Sequence, residues 1–300
     1  MTPAAAEAIP MRDAHTADLA QALAQQASLE LNHLEVGDIQ AARGLLRPGQ
    51  RVYVSHLPRQ TWAQSLQACE AVSAAGFEPV PHIPVRKVAS EAELDHVLSA
   101  ALIAGARELL LISGDCAGAD GPYSCVQQVL DSGRIQAHGF ARVSVAGHPE
   151  GHPVVPESQM RQAAVDKAHW GARAGVEVAI VTQFFFEAAP FVNWARELRQ
   201  LGVRARLVAG VAGPASVAKL LKLSRVCGIG ASIRALTARP GSLLKLVGDR
   251  DPGSLVRDLV VEKRDRPDLF DGIHLFAFGG FLRTAGWLNQ MAEGHGAGSR

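Results

Sequence analysis

Residues 157–182, ESQMRQAAVDKAHWGARAGVEVAIVT, contain the unit that decides the fold of this 300-residue chain. The amphipathic run over 157–174 predicts a helix, Gly175 is a typical helix stop, and the β-branched run Val178–Thr182 predicts a buried strand. Other predicted helices end in the same way, at Gly76, Gly105 and Gly202. The chain is therefore expected to repeat a helix followed by a strand.

Eight strand-like runs alternate with helix-like segments. The predicted strands are Ser28–Asn32, Arg51–Ser55, Phe77–His82, Glu108–Ile112, Ala141–Ala146, Val178–Thr182, Ala205–Ala209 and Gly272–Phe278. The predicted helices are Val36–Leu46, Thr61–Ala75, Glu91–Ala104, Tyr123–Leu130, Glu157–Ala174, Pro190–Leu201 and Ala215–Arg225. This alternation favours parallel strands with helical crossovers, and eight units predict an α/β fold of the (β/α)8 TIM-barrel type. A doubly wound open sheet is the alternative, but no GxGxxG follows the first strand.

The barrel is expected to form a single domain over residues 28–292. An N-terminal extension or helix is predicted over 1–27, and a flexible tail over 293–300. The stretch Ala231–Arg266 is predicted as additional helical material before the last strand. Neither a linker nor a strong internal repeat divides the chain.

Composition excludes several classes of function. Thirty Lys and Arg against 29 Asp and Glu leave a net charge of +1, which argues against a nucleic-acid partner because phosphate binding favours a basic face. The four cysteines form no CxxC pair, as expected for reduced thiols. No apolar run reaches the roughly 18 residues of a membrane span, and the N-terminus lacks the order of a signal peptide. We therefore expect a cytoplasmic protein, whose oligomeric state the sequence leaves open.

Titratable and hydrogen-bonding residues cluster at the predicted strand ends, which is the catalytic face of such barrels. They are Glu30, Ser55, His56, His82, Ser113, Gly114, Asp115, His148, Glu150, His152 and Gln183. Each also has an ordinary structural interpretation: Glu30 alternates with leucines and can face the helices, Asp115 can cap a turn, and His82 can be a hydrogen-bonded core residue. Their coincidence on one face favours a functional site.

The histidines also permit a metal hypothesis. His148, Glu150 and His152, with His82 and Asp115, are ligand types that zinc or iron accepts. Metal-dependent barrel hydrolases usually place paired histidines at the first strand, whereas this chain has Glu30 there, followed only by His33. We therefore predict no resident metal and keep a metal-dependent hydrolase as an alternative.

Five of these stretches carry a family resemblance through their order along the chain. They are Ser28-Leu29-Glu30, Pro81-His82, Ser113-Gly114-Asp115, His148-Pro149-Glu150-Gly151-His152-Pro153 and Thr182-Gln183-Phe184-Phe185-Phe186. The set resembles the methylenetetrahydrofolate reductase family over residues 28 to about 290. The resemblance implies a (β/α)8 barrel that reduces 5,10-methylenetetrahydrofolate to 5-methyltetrahydrofolate with NAD(P)H, in the one-carbon metabolism that supplies methionine biosynthesis.

The resemblance also implies roles for individual residues. Glu30 matches the general acid that protonates N10 of the folate, and burial among apolar neighbours is expected to raise its pKa for this task. Asp115 matches the carboxylate that stabilises the resulting cation. Gln183 suits the mixed donor and acceptor edge of the pterin, and Phe185 is expected to contact the substrate.

The sequence does not decide whether the protein binds a flavin. Most family members bind FAD, through basic residues on the helix after strand five. Here that position reads His169-Trp170-Gly171, with only Lys167 and Arg173 nearby, and a short branch of the family transfers hydride from NADH without flavin. A flavin or nicotinamide site is predicted to be lined by Ser55, His82, Gly114, Tyr123, His148 and His152.

Other readings remain open. The reaction can run in reverse in a demethylation pathway. A tetrahydrofolate-dependent methyltransferase on the same fold is an alternative, for which Cys116 beside Asp115 offers a thiol, and a folate-binding protein without catalysis is another. Val217 stands where the family has an aromatic residue. The basic residues Arg234, Arg239 and Lys245 are candidates for binding the folate glutamate tail.

Overall fold

Parallel strands close into a barrel in the structure, a computed structural model that describes residues 14–114, 118–152, 154–226 and 249–294. The strands β1 to β8 are Ser28–Asn32, Arg51–Ser55, Glu78–Pro84, Glu108–Ile112, Arg142–Gly147, Glu177–Phe185, Arg206–Ala212 and Gly272–Phe276. Each pairs in parallel with its neighbours, and β1 pairs with β8 to complete the closure. The predicted TIM barrel is confirmed, and every predicted strand is present with its ends shifted by at most a few residues.

Helices cover the outside of the barrel. Those described, α1 to α10, are Ala14–Gln26, Trp62–Ala74, Glu91–Ile103, Val126–Asp131, Arg134–Ala137, Glu157–Ala174, Ala188–Gln200, Val217–Val226, Gly253–Asp265 and Phe281–Ala292. The two-residue strands Ala215–Ser216 and Asp249–Arg250 pair in antiparallel fashion outside the barrel. Within the described ranges, no helix combines the length and hydrophobicity needed to cross a membrane.

Two predicted helices were wrong in detail. The segment predicted as one helix over Val36–Leu46 forms two 3-10 helices, His33–Asp38 and Ala41–Gly44, because glycines at 37 and 44 weaken a continuous α-helix. The Tyr123–Leu130 prediction is replaced by α4 and α5. Gly133 separates them in a left-handed conformation, with φ of +73°.

The terminal helices belong to the same hydrophobic core as the barrel. The N-terminal helix α1 packs against α9 and α10, and it buries Ala20, Leu23 and Ala24. The helix α10 had not been predicted, and α9 lies within the predicted helical stretch Ala231–Arg266, of which 231–248 are outside the described residues. The predicted domain limits at 27 and 292 stay predictions.

Hydrophobic residues separate into an outer and an inner core because side chains alternate along each strand. Leu29 and Leu31 are fully buried in the outer core, between the strands and the helices. The inner core contains Tyr53, Val80, Leu110, Val181 and Val208, partly covered by Ile112. The barrel is thus filled by side chains and is not a pore.

A buried ionic network closes the barrel at the amino-terminal ends of the strands. Glu108, only 1% exposed, lies 3.4 Å from Arg51, accepts a hydrogen bond from the Tyr53 hydroxyl at 3.2 Å, and is also bonded by Ser144. Arg142 lies 3.7 Å from the same carboxylate. Burial and the nearby Glu108 carboxylate raise the pKa of Tyr53 far above its usual value. Because these charges are paired, the network at the amino-terminal ends of the strands is interpreted as structural. The catalytic residues are expected at the opposite end, where the carboxyl ends of the strands lie.

Candidate active site

Glu30 lies inside the barrel. Its neighbours Leu29 and Leu31 face the helices, so alternation along β1 directs Glu30 to the inner face. The Glu30 side chain keeps 21% of its surface exposed, and it lies close to the imidazoles of His82 and His274. The alternative that Glu30 faces the helix layer is therefore excluded.

The pKa of Glu30 is lowered, and the sequence-based expectation of a raised pKa was wrong. Burial alone raises the pKa of this carboxyl, but His274, His82 and the Ser55 hydroxyl favour the ionised form and outweigh burial. The leucines considered in the sequence lie on the other face of the strand. Glu30 is therefore ionised near neutral pH, and a proton must reach it before it can act as an acid.

His274, on β8, lies beside Glu30, and sequence reasoning missed it. Its Nδ1 is hydrogen-bonded to the Ser28 hydroxyl at 2.9 Å, and its Nε2 lies 3.8 Å from Glu30 Oε2, an ion-pair distance too long for a hydrogen bond. The ring is 1% exposed and contacts Tyr53 and Phe276 edge-on, at centroid distances of 4.7 and 4.9 Å. The available signal was a histidine alternating with apolar residues in the last strand.

His82 is a second imidazole beside Glu30. It is 8% exposed, and its Nε2 has no hydrogen-bond partner in the part of the chain that the structure describes. Burial lowers its pKa to about 4, so the ring is neutral near pH 7. His56 is partly exposed, is hydrogen-bonded to Ser65 at 2.8 Å and packs on Trp62 at a centroid distance of 4.5 Å.

The loop after β5 brings together His148 and His152. Their rings contact edge-on at a centroid distance of 5.5 Å. Burial, with His152 and Lys167 nearby, lowers the pKa of His148 to about 4. The Nδ1 atom of His148 is buried, with no hydrogen-bond partner among the described residues. The loop therefore presents a neutral imidazole with unused hydrogen-bonding capacity.

The loop after β4 supplies two further predicted site residues. Gly114 has a φ of +90°, a left-handed conformation that favours glycine directly after the strand. Tyr123 is 4% exposed, and its hydroxyl has no partner among the residues described. Asp115 and Cys116 lie outside the described residues. Ser55, at the end of β2, donates to the Leu31 carbonyl at 3.3 Å and lies beside Glu30.

The TQFFF stretch ends β6 with a register shift between Val181 and Phe184. Gln183 lies in this irregular region and is partly exposed. Phe185, in contrast, is fully buried in the outer core and stacks on Phe191 at a centroid distance of 5.2 Å. The expectation that Phe185 contacts substrate was wrong, because the strand's alternation turns this ring toward the helices.

A partly exposed aromatic surface lies beside His274 instead, and sequence reasoning missed it. Phe276 and Phe278 stack on each other at 5.4 Å, and Phe184 packs edge-on against Phe278 at 4.8 Å. Phe276 and Phe278 are partly exposed. Val217, where the family resemblance implied an aromatic residue, begins α8 and is also partly exposed.

The residues present fit a polar cofactor better than a metal. Within the described ranges, Arg142 and Arg196 carry buried atoms without hydrogen-bond partners outside the predicted site. Others occur on His82, Tyr123 and His148, which the sequence predicts to line the site, and on His33, directly after β1. These atoms can donate to or accept from a nucleotide-type ligand. Among the described residues, no group of three or more His, Cys, Asp or Glu side chains is arranged to hold a metal ion.

Among solved structures, the dihydropteroate synthase of Thermus thermophilus is similar to this chain with a TM-score of 0.52. The two are 14% identical, and the likeness covers 90% of this chain and 93% of that one. At this identity the likeness supports the barrel fold alone.

Curated relatives match over part of their length. The Arabidopsis thaliana protein named methylenetetrahydrofolate reductase (NADH) 1 is 25% identical over 161 residues, covering 49% of this chain and 26% of that protein. The Zea mays protein of the same name is 23% identical over 159 residues, with the same coverage. The match thus spans about a quarter of these relatives.

The family model described as methylenetetrahydrofolate reductase matches residues 58–236, which is more than half of the chain. The match includes the strands β3 to β7 and the Thr182-Gln183-Phe184-Phe185-Phe186 stretch. This chain belongs to the methylenetetrahydrofolate reductase family.

Proposed function

We propose that the chain is an oxidoreductase that interconverts 5,10-methylenetetrahydrofolate and 5-methyltetrahydrofolate, with NADH as the hydride donor. The observation that carries the proposal is the Glu30 carboxylate, placed inside the barrel with His274 Nε2 at 3.8 Å. Family membership supports the folate substrate, and the names of the relatives support NADH.

In the forward direction, Glu30 delivers a proton to N10 of the folate. Protonation breaks the bond between the methylene carbon and N10 and leaves an iminium cation at N5. Since the pKa of Glu30 is lowered, the carboxyl must be supplied with this proton, and His274, whose Nε2 lies 3.8 Å away, is the residue assigned to supply it. Substrate binding removes water from the site, which disfavours the separated charges and favours transfer of the proton to Glu30.

The second step is hydride transfer to the one-carbon unit. NADH is oxidised to NAD⁺, the iminium carbon gains the hydride and becomes the methyl group, and one proton is consumed overall. Gln183 is assigned to the pterin edge through its amide, which offers both a donor and an acceptor. Asp115 is assigned, by the family resemblance, to stabilise the cation.

The reverse reaction uses the same residues with their proton states exchanged. Hydride leaves the methyl group of 5-methyltetrahydrofolate for NAD⁺, N10 attacks the iminium carbon, and ionised Glu30 accepts the N10 proton. The lowered pKa of Glu30 makes it ready for this role near neutral pH.

The unpartnered atoms of His82, Tyr123 and His148 would also hold a flavin. A bound FAD would accept hydride from NADH and pass it to the folate. The absorbance spectrum of the purified protein tests for it: a flavin band at near-unit occupancy assigns FAD, and its absence assigns direct transfer. Adding methylenetetrahydrofolate and NADH in the same cuvette then tests the reaction, and the absence of folate-dependent NADH oxidation would contradict the proposal.

We expect replacement of Phe278 by Leu to raise the KM for methylenetetrahydrofolate about two- to tenfold. Phe276 contacts His274 and stacks on Phe278, and both phenylalanines are partly exposed. Stacking of such a ring on the planar part of the substrate is worth roughly 0.5–1.5 kcal/mol. Steady-state kinetics with varied folate measures the change.

Phe185→Leu is the matched control. Because Phe185 is buried against Phe191 in the outer core, this change is expected to lower the free energy of unfolding by roughly 1–2 kcal/mol and to leave KM unchanged. If Phe185→Leu raised KM and Phe278→Leu did not, the assignment of the substrate surface would be wrong.

A further inference from the structure

Tyr53, on β2, connects the ionic network at the amino-terminal ends of the strands with the candidate active site. It pairs with Glu30 in the register of β1 and β2, and its side chain, 2% exposed, lies in the inner core. The hydroxyl end of the side chain reaches the network, and the ring contacts the imidazole of His274. One side chain therefore contacts both the structural network and a residue of the site.

Two buried partners hold the hydroxyl of Tyr53. The hydroxyl donates to Glu108 Oε1 at 3.2 Å and lies 2.9 Å from the Ser144 hydroxyl. Glu108 is itself paired with Arg51 and Arg142, at 3.4 and 3.7 Å. Because a tyrosine side chain has only two rotatable bonds, anchoring its hydroxyl fixes the position of the ring.

The other end of Tyr53 restrains the imidazole of His274. The two rings meet edge-on at a centroid distance of 4.7 Å, and Phe276 contacts the same imidazole at 4.9 Å. Ser28 is hydrogen-bonded to Nδ1 of the imidazole, but a bond at one nitrogen leaves the ring free to tilt. Contacts from two aromatic rings restrict that tilt, and Nε2 is held 3.8 Å from Glu30 Oε2.

The ring of Tyr53 also faces the second imidazole of the site. His82 lies edge-on to it at a centroid distance of 6.1 Å, within the range of aromatic contacts. His82 and His274 are the two imidazoles that act on the Glu30 carboxyl. The packing of one ring against both imidazoles thus influences the surroundings of Glu30.

Tyr53 is not itself an acid or a base of the reaction. Burial, together with the Glu108 carboxylate, raises the pKa of Tyr53 far above its usual value, so the phenol keeps its proton near neutral pH. Its hydroxyl is engaged by Glu108 and Ser144. The part of Tyr53 that reaches the site is therefore the ring, which positions its neighbours and transfers no proton.

We propose that Tyr53 is a positioning residue of the active site, whose anchored ring keeps Nε2 of His274 directed at Glu30. The inference rests on the proposed function, in which Glu30 delivers the proton to the folate. The hydroxyl supplies the anchor and the ring supplies the contact with the imidazole. Removing the hydroxyl alone is therefore expected to have a smaller effect on the site than removing the ring.

The pKa of Glu30 tests the proposal without turnover. It is measured by NMR of the ligand-free protein with isotope-labelled glutamate carboxyls, and Glu30→Gln identifies the signal. Burial raises this pKa, and His274, His82 and the Ser55 hydroxyl lower it. Tyr53→Leu removes the ring and releases His274, so we expect the pKa of Glu30 to rise, as in His274→Asn. Tyr53→Phe keeps the ring and should leave this pKa close to that of the unmodified protein.

Turnover provides a second readout, because displacing a reacting group by about 1 Å costs on the order of 10²-fold in rate. We expect Tyr53→Leu to lower kcat about 10- to 30-fold with KM unchanged, and Tyr53→Phe to stay within about threefold of the unmodified kcat. The loss in Tyr53→Leu should be smaller at acid pH, where Glu30 with a raised pKa holds its own proton.

A double variant tests whether Tyr53 acts through His274. In a His274→Asn background, Tyr53→Leu should lower kcat by less than about twofold further, because the residue that the ring positions is already gone. If the losses of the two single variants multiply in the double variant, Tyr53 does not act through His274 and the proposal is wrong.

Two further variants separate positioning from stability. Val208→Ala removes volume from the same inner core and should lower the Tm while leaving the pKa of Glu30 and the pH profile of kcat unchanged. Tyr53→Met, whose flexible side chain fills the space of the ring, replaces Tyr53→Leu if the latter does not fold, with the same expected results. If the variants without the ring lower the Tm but leave the pKa of Glu30 unchanged, Tyr53 only fills the core and the proposal is overturned.

The two proposals can fail separately. If the protein reduces methylenetetrahydrofolate with NADH but the variants without the Tyr53 ring keep the pKa of Glu30 and the pH profile, the positioning role is wrong and the function stands. If the pKa of Glu30 depends on the ring but no folate-dependent NADH oxidation occurs, the contact with His274 stands and the function is wrong.

Discussion

Glu30→Gln is expected to lower the rate of methylenetetrahydrofolate reduction about 10²- to 10⁴-fold, the range over which general acid catalysis contributes. Glutamine keeps the shape of the side chain, but its amide cannot deliver a proton to N10 of the folate. The bond between N10 and the methylene carbon then stays closed, and hydride has no cation to attack. Folate-dependent loss of NADH absorbance measures the effect.

The folate dissociation constant separates this loss of chemistry from loss of binding. We expect it to stay within about threefold of the unmodified protein, because the shape of the side chain is kept. Glu187→Gln, at an exposed position just after β6, is the matched control and should retain full turnover. A Glu30→Gln protein that keeps more than a tenth of the turnover would remove Glu30 from the role of acid.

His274→Asn is expected to change the pH dependence of turnover as well as its size. Asparagine keeps an amide near the position of Nδ1, so the hydrogen bond to Ser28 can persist, but it removes the Nε2 that lies 3.8 Å from Glu30. With this imidazole gone, burial raises the pKa of Glu30 above its value in the unmodified protein. The carboxyl then holds its own proton at acid pH and has no donor at alkaline pH.

We therefore expect kcat of His274→Asn to fall about 10²-fold at alkaline pH and to recover part of this loss at acid pH. Ser28→Ala, which removes only the hydrogen bond to Nδ1, should reduce kcat about tenfold or less and keep the original pH profile. If His274→Asn lowers kcat by the same factor at every pH, His274 is structural and does not supply the proton.

The barrel could be predicted from the sequence because its signal is periodic and local. Apolar β-branched runs such as Val178–Thr182 specify parallel strands with helical crossovers, and four of the eight runs follow a predicted helix that ends in glycine. The wrongly predicted helices lie where the local sequence pattern is weakest. Val36–Leu46 carries apolar residues at helical spacing, but its glycines break the turns, and short 3-10 helices result.

Part of the candidate site could be predicted from the sequence, but the pKa values of its residues could not. The position of Glu30 follows from one strand, whereas its pKa depends on His274, which is 244 positions later in the chain and adjacent only after the barrel closes. Phe185 illustrates the same limit. The TQFFF motif identifies the stretch, but only the register shift after Val181 determines which ring faces the helices.

Transfer of deuteride tests the central claim most directly. The purified protein is mixed anaerobically with methylenetetrahydrofolate and NADH deuterated at the transferable position, and the folate product is analysed by mass spectrometry. If the account is correct, 5-methyltetrahydrofolate forms in equal amount to NAD⁺, and Glu30→Gln forms almost none. In the absence of flavin, each methyl group carries one deuterium. NADH that stays unoxidised while the folate is bound, or NAD⁺ formed without the methyl product, would contradict the account.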